Sequence, residues 1–248
     1  MLKKVLLVMG GIIGLFGFPQ QVGATEIMDT ITSALDSGAG ENAETVQLFL
    51  LLTLLSFGTA FLVLTTAFTR IIVVLSFTRS SLGTQQNPPN IVIMGLAIFL
   101  TFFVMRPVTD EIMEDAINPY LNEEITTEVA IERAEGPLKE FMAAQTREKD
   151  IQLFLDISGE EKPENLENLS ITVLTPAFAI SELRTAFSIG FLIFIPFLVI
   201  DMVVASILMS MGMFMLSPVM ISLPFKLLLF VLVDGWYLVV ESLVSGFQ

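Results

Sequence analysis

Four long apolar runs, separated by polar segments, dominate the pattern of the chain, and each predicts a membrane-spanning helix. They cover residues 46–68, 91–108, 187–208 and 219–244. Each run approaches or exceeds the ~20 apolar residues that cross the hydrocarbon core of a bilayer. Pro88 and Pro89, in "GTQQNPPN", interrupt the chain between the first two runs, because proline cannot continue a helix. The pattern therefore predicts an all-α integral membrane protein with two apolar helical hairpins, at residues 46–108 and 185–248.

The segment between the hairpins, residues 109–184, is acidic. Residues 110–170 contain 17 acidic and 5 basic side chains and so carry most of the net charge of −14. Seven apolar residues in this segment have the spacing of a shared helix face: Ile131, Leu138, Phe141, Met142, Ile151, Phe154 and Leu155. Gly136–Pro137 and "SGEEKPEN" predict interruptions. We expect two or three short helices in an acidic extracytoplasmic insert.

The N-terminus has the features of a secretory signal peptide. Lys3 and Lys4 give it a positive start, and an apolar stretch follows over residues 5–18. The sequence "PQQVGA" then supplies small residues before a cut after Ala24. We therefore expect a signal peptide at residues 1–24 and a polar extracytoplasmic segment at residues 25–45. The alternative is an uncleaved anchor.

The distribution of basic residues predicts the orientation of the hairpins. A cleaved signal peptide leaves residue 25 outside, so that the first apolar run crosses inward. Arg70, Arg79, Pro88 and Pro89 then belong to a turn on the cytoplasmic side, as the excess of basic residues in cytoplasmic loops requires. The acidic insert lies outside in this orientation.

Composition excludes several classes of function. Hydrophobic residues make up 54% of the chain and charged residues only 15%, and there is neither cysteine nor histidine. The commonest metal ligands and general base are therefore missing, so we expect no metal and no cofactor, and an enzyme would have to rely on carboxylates, Lys, Arg, Ser or Tyr alone. The acidic charge disfavours nucleic-acid binding. Asp201 and Asp234 lie in apolar runs, but their surroundings do not match an aspartyl protease, and we expect them to be buried polar residues with a structural role.

Lys226 lies in an apolar run, where an unpaired charge is costly, by about 2.5–3.5 kcal/mol at the bilayer centre. It therefore needs a partner or access to water. Glu182, Asp201 and Asp234 are the candidate partners. The alternative is that the lysine extends to a lipid headgroup.

A methionine occupies every second position of the stretch "SILMSMGMFMLSP". The four are Met209, Met211, Met213 and Met215. A period of two suits an extended segment better than a helix face. Two interpretations remain open from the residues alone: apolar filling of a core, or a soft surface that seals around something.

Two long stretches resemble the FliP family of flagellar type III export-gate proteins, which is related to the R-type subunit of injectisomes. The first is "FTRIIVVLSFTRSSLGTQQNPPNIVIMGLAIFLTFFVMRPV". The second begins at "TPAFAISELRTAF" and continues through "DMVVASILMSMGMFMLSPVMISLPFKLLLFVLVDGWYLVV". The resemblance implies a core subunit of the export gate in the bacterial inner membrane, within the flagellar basal body. It also implies that the subunit itself catalyses no reaction.

The resemblance further implies partners. About five copies would assemble with the Q-type and R-type export-gate subunits into a closed helical cone, in contact with membrane lipid. Unfolded flagellar proteins would pass through its central pore. Proteins of the FlhA and FlhB families would supply energy coupling and substrate switching. Much of the apolar surface would then pack on partner subunits above the bilayer plane, although it is hydrophobic enough to insert.

Family members carry a methionine-rich loop that projects into the pore as a gasket. The matching residues are Met213, Phe214 and Met215 after Gly212, and this chain has phenylalanine where the family has a central methionine. With Met209 and Met211, which precede them, they are the five predicted gasket residues. The resemblance also implies that Glu182 and Lys226 pair between neighbouring subunits. Two alternatives remain: an export-gate subunit of a virulence injectisome, and a small-solute transporter with helices broken at Pro218 and Pro224.

Overall fold

The computed structural model describes residues 53, 56, 58, 60–84, 86–160 and 169–247. The predicted signal peptide, the polar segment 25–45 and most of the first apolar run lie outside these residues. Every regular element in the described part is helical, which confirms the all-α prediction for that part.

Eight α-helices follow one another from residue 68 onward in this part of the chain. They are α1 (Phe68–Ser81), α2 (Asn90–Ile112), α3 (Asn118–Leu121), α4 (Thr127–Gln145), α5 (Glu148–Ser158), α6 (Ile171–Ser210), α7 (Pro218–Leu232) and α8 (Gly235–Ser245). A π-helical turn, Met113–Ile117, joins α2 to α3 without a break in the helical path.

Two helical segments of the described residues are long and apolar enough to cross a membrane. They are Asn90–Leu121, with 32 residues, and α6, with 40 residues. Helices α7 and α8, with 15 and 11 residues, are each too short and meet this criterion only as a pair, which is bent by 61° at the break. The described residues therefore provide two candidate spans, or three if the bent pair counts as one. The last apolar run, predicted as a single helix, is broken.

The chain divides into two compact units, each built from two stretches of sequence. Of the described residues, the first unit comprises those up to Thr66 with those of Met105–Ser181, and the second comprises those of Ala67–Val104 with those from Glu182 onward. The predicted limits of the acidic insert, after residues 108 and 184, lie inside the continuous helices α2 and α6. Composition changes along these helices, but the backbone conformation does not.

The first unit has a core formed by α4, α5 and the start of α6. Of the seven apolar residues predicted to share a face, four are buried and three are half-buried; the buried ones are Leu138, Met142, Ile151 and Leu155. Phe141 contacts Phe178 of α6, with ring centres 5.9 Å apart.

The predicted interruption at Gly136–Pro137 is wrong. Pro137 lies inside α4 and is buried, and the helix continues to Gln145. A proline in a helix interior costs about 3 kcal/mol. Because most helical stability in proteins comes from packing of the apolar face, the buried residues on either side of Pro137 offset this cost.

The second unit is held together by aromatic side chains. Leu82, Phe197 and Phe230 form a buried cluster. Phe77 of α1 packs edge-on against Phe187 of α6, with ring centres 5.2 Å apart. A Cβ atom at Gly190 would lie 2.6 Å from Cγ of Phe77, so glycine at this position allows the ring to approach the backbone of α6.

Candidate functional site

The methionine-rich segment begins with a glycine turn that ends α6. Gly212 has a φ of +74°, and Gly212 N–H donates to the Met209 carbonyl at 3.1 Å. Met213 N–H donates to the Leu208 carbonyl at 3.0 Å. This pair of bonds is the Schellman motif, in which glycine takes the left-handed conformation that side chains disfavour. The chain therefore leaves the helix in a defined direction, and Pro218 starts α7.

All five predicted gasket residues are exposed in the single chain. The exposed fraction is 61% for Met209, 62% for Met211, 36% for Met213, 79% for Phe214 and 98% for Met215. They do not form one extended segment, because Met209 is helical and the turn at Gly212 reverses the path. The core-filling interpretation does not fit this exposure. We call residues 211–217 the methionine loop.

A buried lysine joins the two helices on either side of the methionine loop. Nζ of Lys226, on α7, lies 2.6 Å from Oδ2 of Asp201, on α6. Oδ1 of Asp201 accepts a hydrogen bond from the Ser222 hydroxyl, one turn before Lys226 on the same helix face. Lys226 is only 3% exposed, so it does not extend to the surface of the chain. Asp201 is thus the partner among the three candidate carboxylates.

The end of α1 completes this polar cluster. Lys226 Nζ also donates to the Ser81 carbonyl at 3.4 Å. Ser81 is the last residue of α1, where carbonyl groups without helical partners favour a cation. Gly83, with a φ of +77°, turns the chain there, and a Cβ atom at this position would lie 3.7 Å from Leu223. The cluster therefore connects α1, α6 and α7.

A second buried ion pair joins α1 to α6. Arg70 Nε donates to Oε2 of Glu182 at 2.8 Å, and Arg70 Nη2 donates to Oε1 of the same carboxylate. Arg70 is 3% exposed and Glu182 is fully buried. This two-bond geometry is the strongest arrangement between an arginine and a carboxylate. It stabilises two charges that would otherwise be costly among apolar helices.

Arg70 does not lie in the turn with which it was grouped, and the side of the membrane on which that turn lies stays a prediction. The residue lies in the first turn of α1 and is buried. Sequence reasoning used Arg70 only as a signal of orientation and missed its ion pair. The signal was available, because Arg70 in "FTRIIVV" has apolar neighbours just as Lys226 does, and the same requirement for a partner applies.

The structure gives Glu182 and Lys226 separate partners within the chain. Glu182 pairs with Arg70, and Lys226 pairs with Asp201. Pairing of Glu182 with Lys226 between neighbouring subunits concerns an assembly and stays a prediction.

Arg79, Pro88 and Pro89 do lie together at the connection between α1 and α2. Arg79 Nη1 donates to the Pro88 carbonyl at 3.3 Å and to the side chain of Asn90. The Pro89 carbonyl accepts the first hydrogen bonds of α2, from the N–H groups of Val92 and Ile93, at 3.0 and 3.2 Å. Arg79 therefore stabilises the turn that starts α2.

Asp234 is not buried, contrary to the prediction. It is exposed and lies at the bend between α7 and α8, with a φ of +52°. Aspartate is one of the few residues that tolerate this left-handed conformation. A Cβ atom at the next residue, Gly235, would lie 2.3 Å from ring atoms of Phe230. The pair Asp234–Gly235 therefore forms the elbow at which the chain bends between α7 and α8.

These features define a class: an α-helical protein with candidate membrane spans, whose apolar helices are joined by ion pairs that bury Arg70, Glu182 and Lys226. A model of the FliP family matches residues 51–243, and the chain belongs to this family. It is similar to the flagellar biosynthetic protein FliP of Bacillus subtilis (strain 168), with 57% identity over 221 residues, which cover 89% of this chain and 100% of the relative.

Two further relatives carry the same name. The protein of Pectobacterium carotovorum subsp. carotovorum is 51% identical over 88% of this chain and 84% of its own length. The protein of Rhizobium meliloti (strain 1021) is 43% identical over 98% of this chain and 96% of its own length. Family membership therefore extends over nearly the whole chain.

Proposed function

We propose that this chain is a pore-forming subunit of the flagellar type III protein export gate in the bacterial inner membrane. Its relatives are named as flagellar biosynthetic proteins, which supports a flagellar gate over an injectisome gate. The observation that carries the proposal is the methionine loop. Its large apolar side chains are exposed at the tip of a hairpin whose two helices are joined by the ion pair of the buried Lys226 with the half-buried Asp201.

The helices that flank the loop are fixed relative to each other, and the side chains at its tip are flexible. The Lys226–Asp201 pair holds α6 and α7 together, and the turn at Gly212 sets the direction in which the loop leaves α6. Beyond that turn, methionine side chains are unbranched and adapt to irregular shapes. Phe214 is stiffer and adds bulk at the centre of the loop.

In the assembled gate, about five copies would place their loops around one axis. Apolar constrictions close to ions because water leaves them, so the ring of Met213, Phe214 and Met215 would seal the idle pore. An unfolded flagellar protein would displace the flexible thioether side chains as it passes. The subunit carries out this work without catalysing a reaction and without a cofactor.

The gate requires other subunits, and the exposed apolar helices provide the surface for them. Phe99, Phe102 and Phe103 of α2 are each 68% exposed in the single chain. Such a surface suits contact with neighbouring copies, with the Q-type and R-type subunits, or with lipid. Proteins of the FlhA and FlhB families would act with the assembled gate in the flagellar basal body.

The test is an ion-leak measurement on a variant in which Met213, Phe214 and Met215 are replaced by alanine. We expect a larger leak than in the unmodified gate, with assembly unchanged. The matched control replaces Val231 and Leu232, each 74% exposed on α7 but outside the loop, by alanine. An unchanged conductance in a correctly assembled loop variant would contradict the gasket.

A second experiment separates the alternatives. Expression of this chain in a strain that lacks its own flagellar family member should restore secretion of hook and filament proteins. Failure in that strain, together with restored secretion in a strain that lacks its injectisome family member, would favour the virulence gate. A protein that purifies alone, without Q-type and R-type subunits, would favour the transporter.

A further inference from the structure

Arg70 has further contacts besides its ion pair with Glu182. Besides the two bonds to Glu182, Arg70 Nη1 donates to the Gly246 carbonyl at 3.0 Å. The Cζ atom of Arg70 lies 3.9 Å from the centre of the Phe247 ring. The guanidinium thus joins α1, which carries it, to α6 and to the turn that ends α8.

Each of these added contacts has a physical basis. Gly246 is the C-cap residue of α8, and the carbonyl groups at a helix C-terminus favour a cation. The face of an aromatic ring attracts a guanidinium, and the attraction increases when water is excluded. Arg70 is only 3% exposed, so both contacts form away from water.

We propose that Gly246 and Phe247 form a latch that holds the end of α8 on the Arg70–Glu182 pair. The bent pair α7–α8 is then attached to α6 at two places. Lys226 attaches α7 at Asp201, and the latch attaches α8 through Arg70 at Glu182. The two attachment points on α6 are 19 residues apart, or about 28 Å along the helix.

The latch explains how α8 keeps its position beyond the elbow. The break at Asp234–Gly235 interrupts the helix, so α7 alone does not determine where α8 lies. The latch fixes the far end of α8 and keeps Leu243, which is 1% exposed, inside the unit. Without it, the end of α8 that carries Leu243 would separate from α6, while the Lys226–Asp201 pair would keep α7 in place and the contact of Trp236 with Phe230 would hold the start of α8. This inference does not depend on the proposed function.

Cysteine accessibility in membranes of cells that express the full chain tests the latch directly, because the natural sequence contains no cysteine. In a Leu243→Cys chain, the thiol should react slowly with N-ethylmaleimide. Adding Phe247→Ala should raise the reaction rate about tenfold, because losing about 1.4 kcal/mol of cation–π attraction shifts the opening equilibrium by that factor. Phe247→Tyr keeps the ring and should keep the protection.

Arg70→Lys is the second test variant. It keeps a positive charge beside Glu182 but lacks the fork that reaches Gly246, so it should also increase labelling of Leu243→Cys. Phe225→Ala is the matched control, because Phe225 is an exposed aromatic residue on α7, 56% exposed, outside the latch. It should leave the labelling rate unchanged.

A Leu82→Cys chain distinguishes opening of the latch from general unfolding. Leu82 is 3% exposed and lies in the cluster with Phe197 and Phe230, so its thiol should stay protected with and without Phe247. Unchanged labelling of Leu243→Cys in the Phe247→Ala background would overturn the latch. A parallel increase at Leu82→Cys would also overturn it. Should Arg70→Lys fail to accumulate, the Phe247→Ala result decides alone, because that variant leaves the ion pair intact.

Discussion

The ammonium group of Lys226 lies 2.6 Å from the carboxylate of Asp201, although the two residues are 25 positions apart in the chain. Lys226 lies on α7 and Asp201 on α6, so the ion pair connects the two helices that flank the methionine loop. Ser222 donates to the second oxygen of the same carboxylate. Both oxygens of Asp201 are therefore engaged, and the two helices are held in one relative position.

Removal of the lysine charge should destabilise the chain strongly. Lys226→Met leaves Asp201 without its cation, and breaking a buried ion pair costs about 3–5 kcal/mol. The Asp201 side chain is 21% exposed, so we expect about 3 kcal/mol, at the lower end of this range. The free energy of unfolding of the detergent-solubilised chain measures the effect.

The control for this measurement is an exposed ion pair in the same chain. Arg106 pairs with Asp110, and their side chains are 75% and 66% exposed. Because exposed pairs contribute little, Arg106→Met should change the stability by less than about 0.5 kcal/mol. Equal losses in Lys226→Met and Arg106→Met would show that Lys226 is not buried beside Asp201 in the solubilised protein.

Charge reversals distinguish pairing within the chain from pairing between subunits. Arg70→Glu and Glu182→Arg should each reduce gate assembly, and the double variant should recover part of it, because the pair is re-formed within one chain. Co-purification with Q-type and R-type subunits is the measurement. Pairing of Glu182 with Lys226 between subunits predicts instead that Glu182→Lys combined with Lys226→Glu assembles better than either single variant. Failure of both double variants would count against both pairings.

The sequence predicted the helices of the described part better than their ends. Hydrophobic runs indicated α2 and α6 correctly, because apolar length and period are local properties. The continuation of both helices into the acidic segment was missed, because a helix can extend beyond the change in composition. The continuity of α4 through Pro137 was missed for a related reason: tertiary packing outweighed a local signal.

The sequence identified which residues belong to the candidate site better than it identified which of them pair. Lys226 was correctly expected to need a partner, since the cost of an isolated charge follows from its apolar neighbours. The choice of Asp201 over Glu182 and Asp234 depends on how three helices pack, which spacing along one chain does not give. The exposure of Asp234 depends on its positive φ, which the sequence signals only weakly.

The elbow should be sensitive to a single methyl group. A Cβ atom at Gly235 would lie 2.3 Å from the Phe230 ring, so Gly235→Ala requires that ring to move within the buried cluster. Overpacking of this kind costs typically about 1–3 kcal/mol. The thermal unfolding midpoint of the solubilised protein should fall accordingly.

Gly95 provides the matched control for the elbow. It lies within α2, and a Cβ atom there would have no neighbour within 4 Å. Gly95→Ala should therefore be neutral or stabilise the chain by up to about 1 kcal/mol, because alanine favours a helix. If Gly235→Ala behaves in the same way, the close packing of Phe230 against the elbow is wrong.

The glycine turn that starts the methionine loop should affect the seal more than the stability. Gly212 has a φ of +74°, which alanine adopts at a cost of about 1 kcal/mol. Gly212→Ala should loosen the exit from α6 and increase ion leak through the assembled gate, while the Lys226–Asp201 pair keeps the base of the hairpin intact. Gly212→Asn should behave almost as the unmodified chain, because asparagine tolerates the left-handed conformation.

Gly136→Ala, at an open position of α4, serves as the control and should leave the leak unchanged. A Gly212→Ala gate as tight as the unmodified one would show that the direction of the loop is set by neighbouring subunits rather than by this turn.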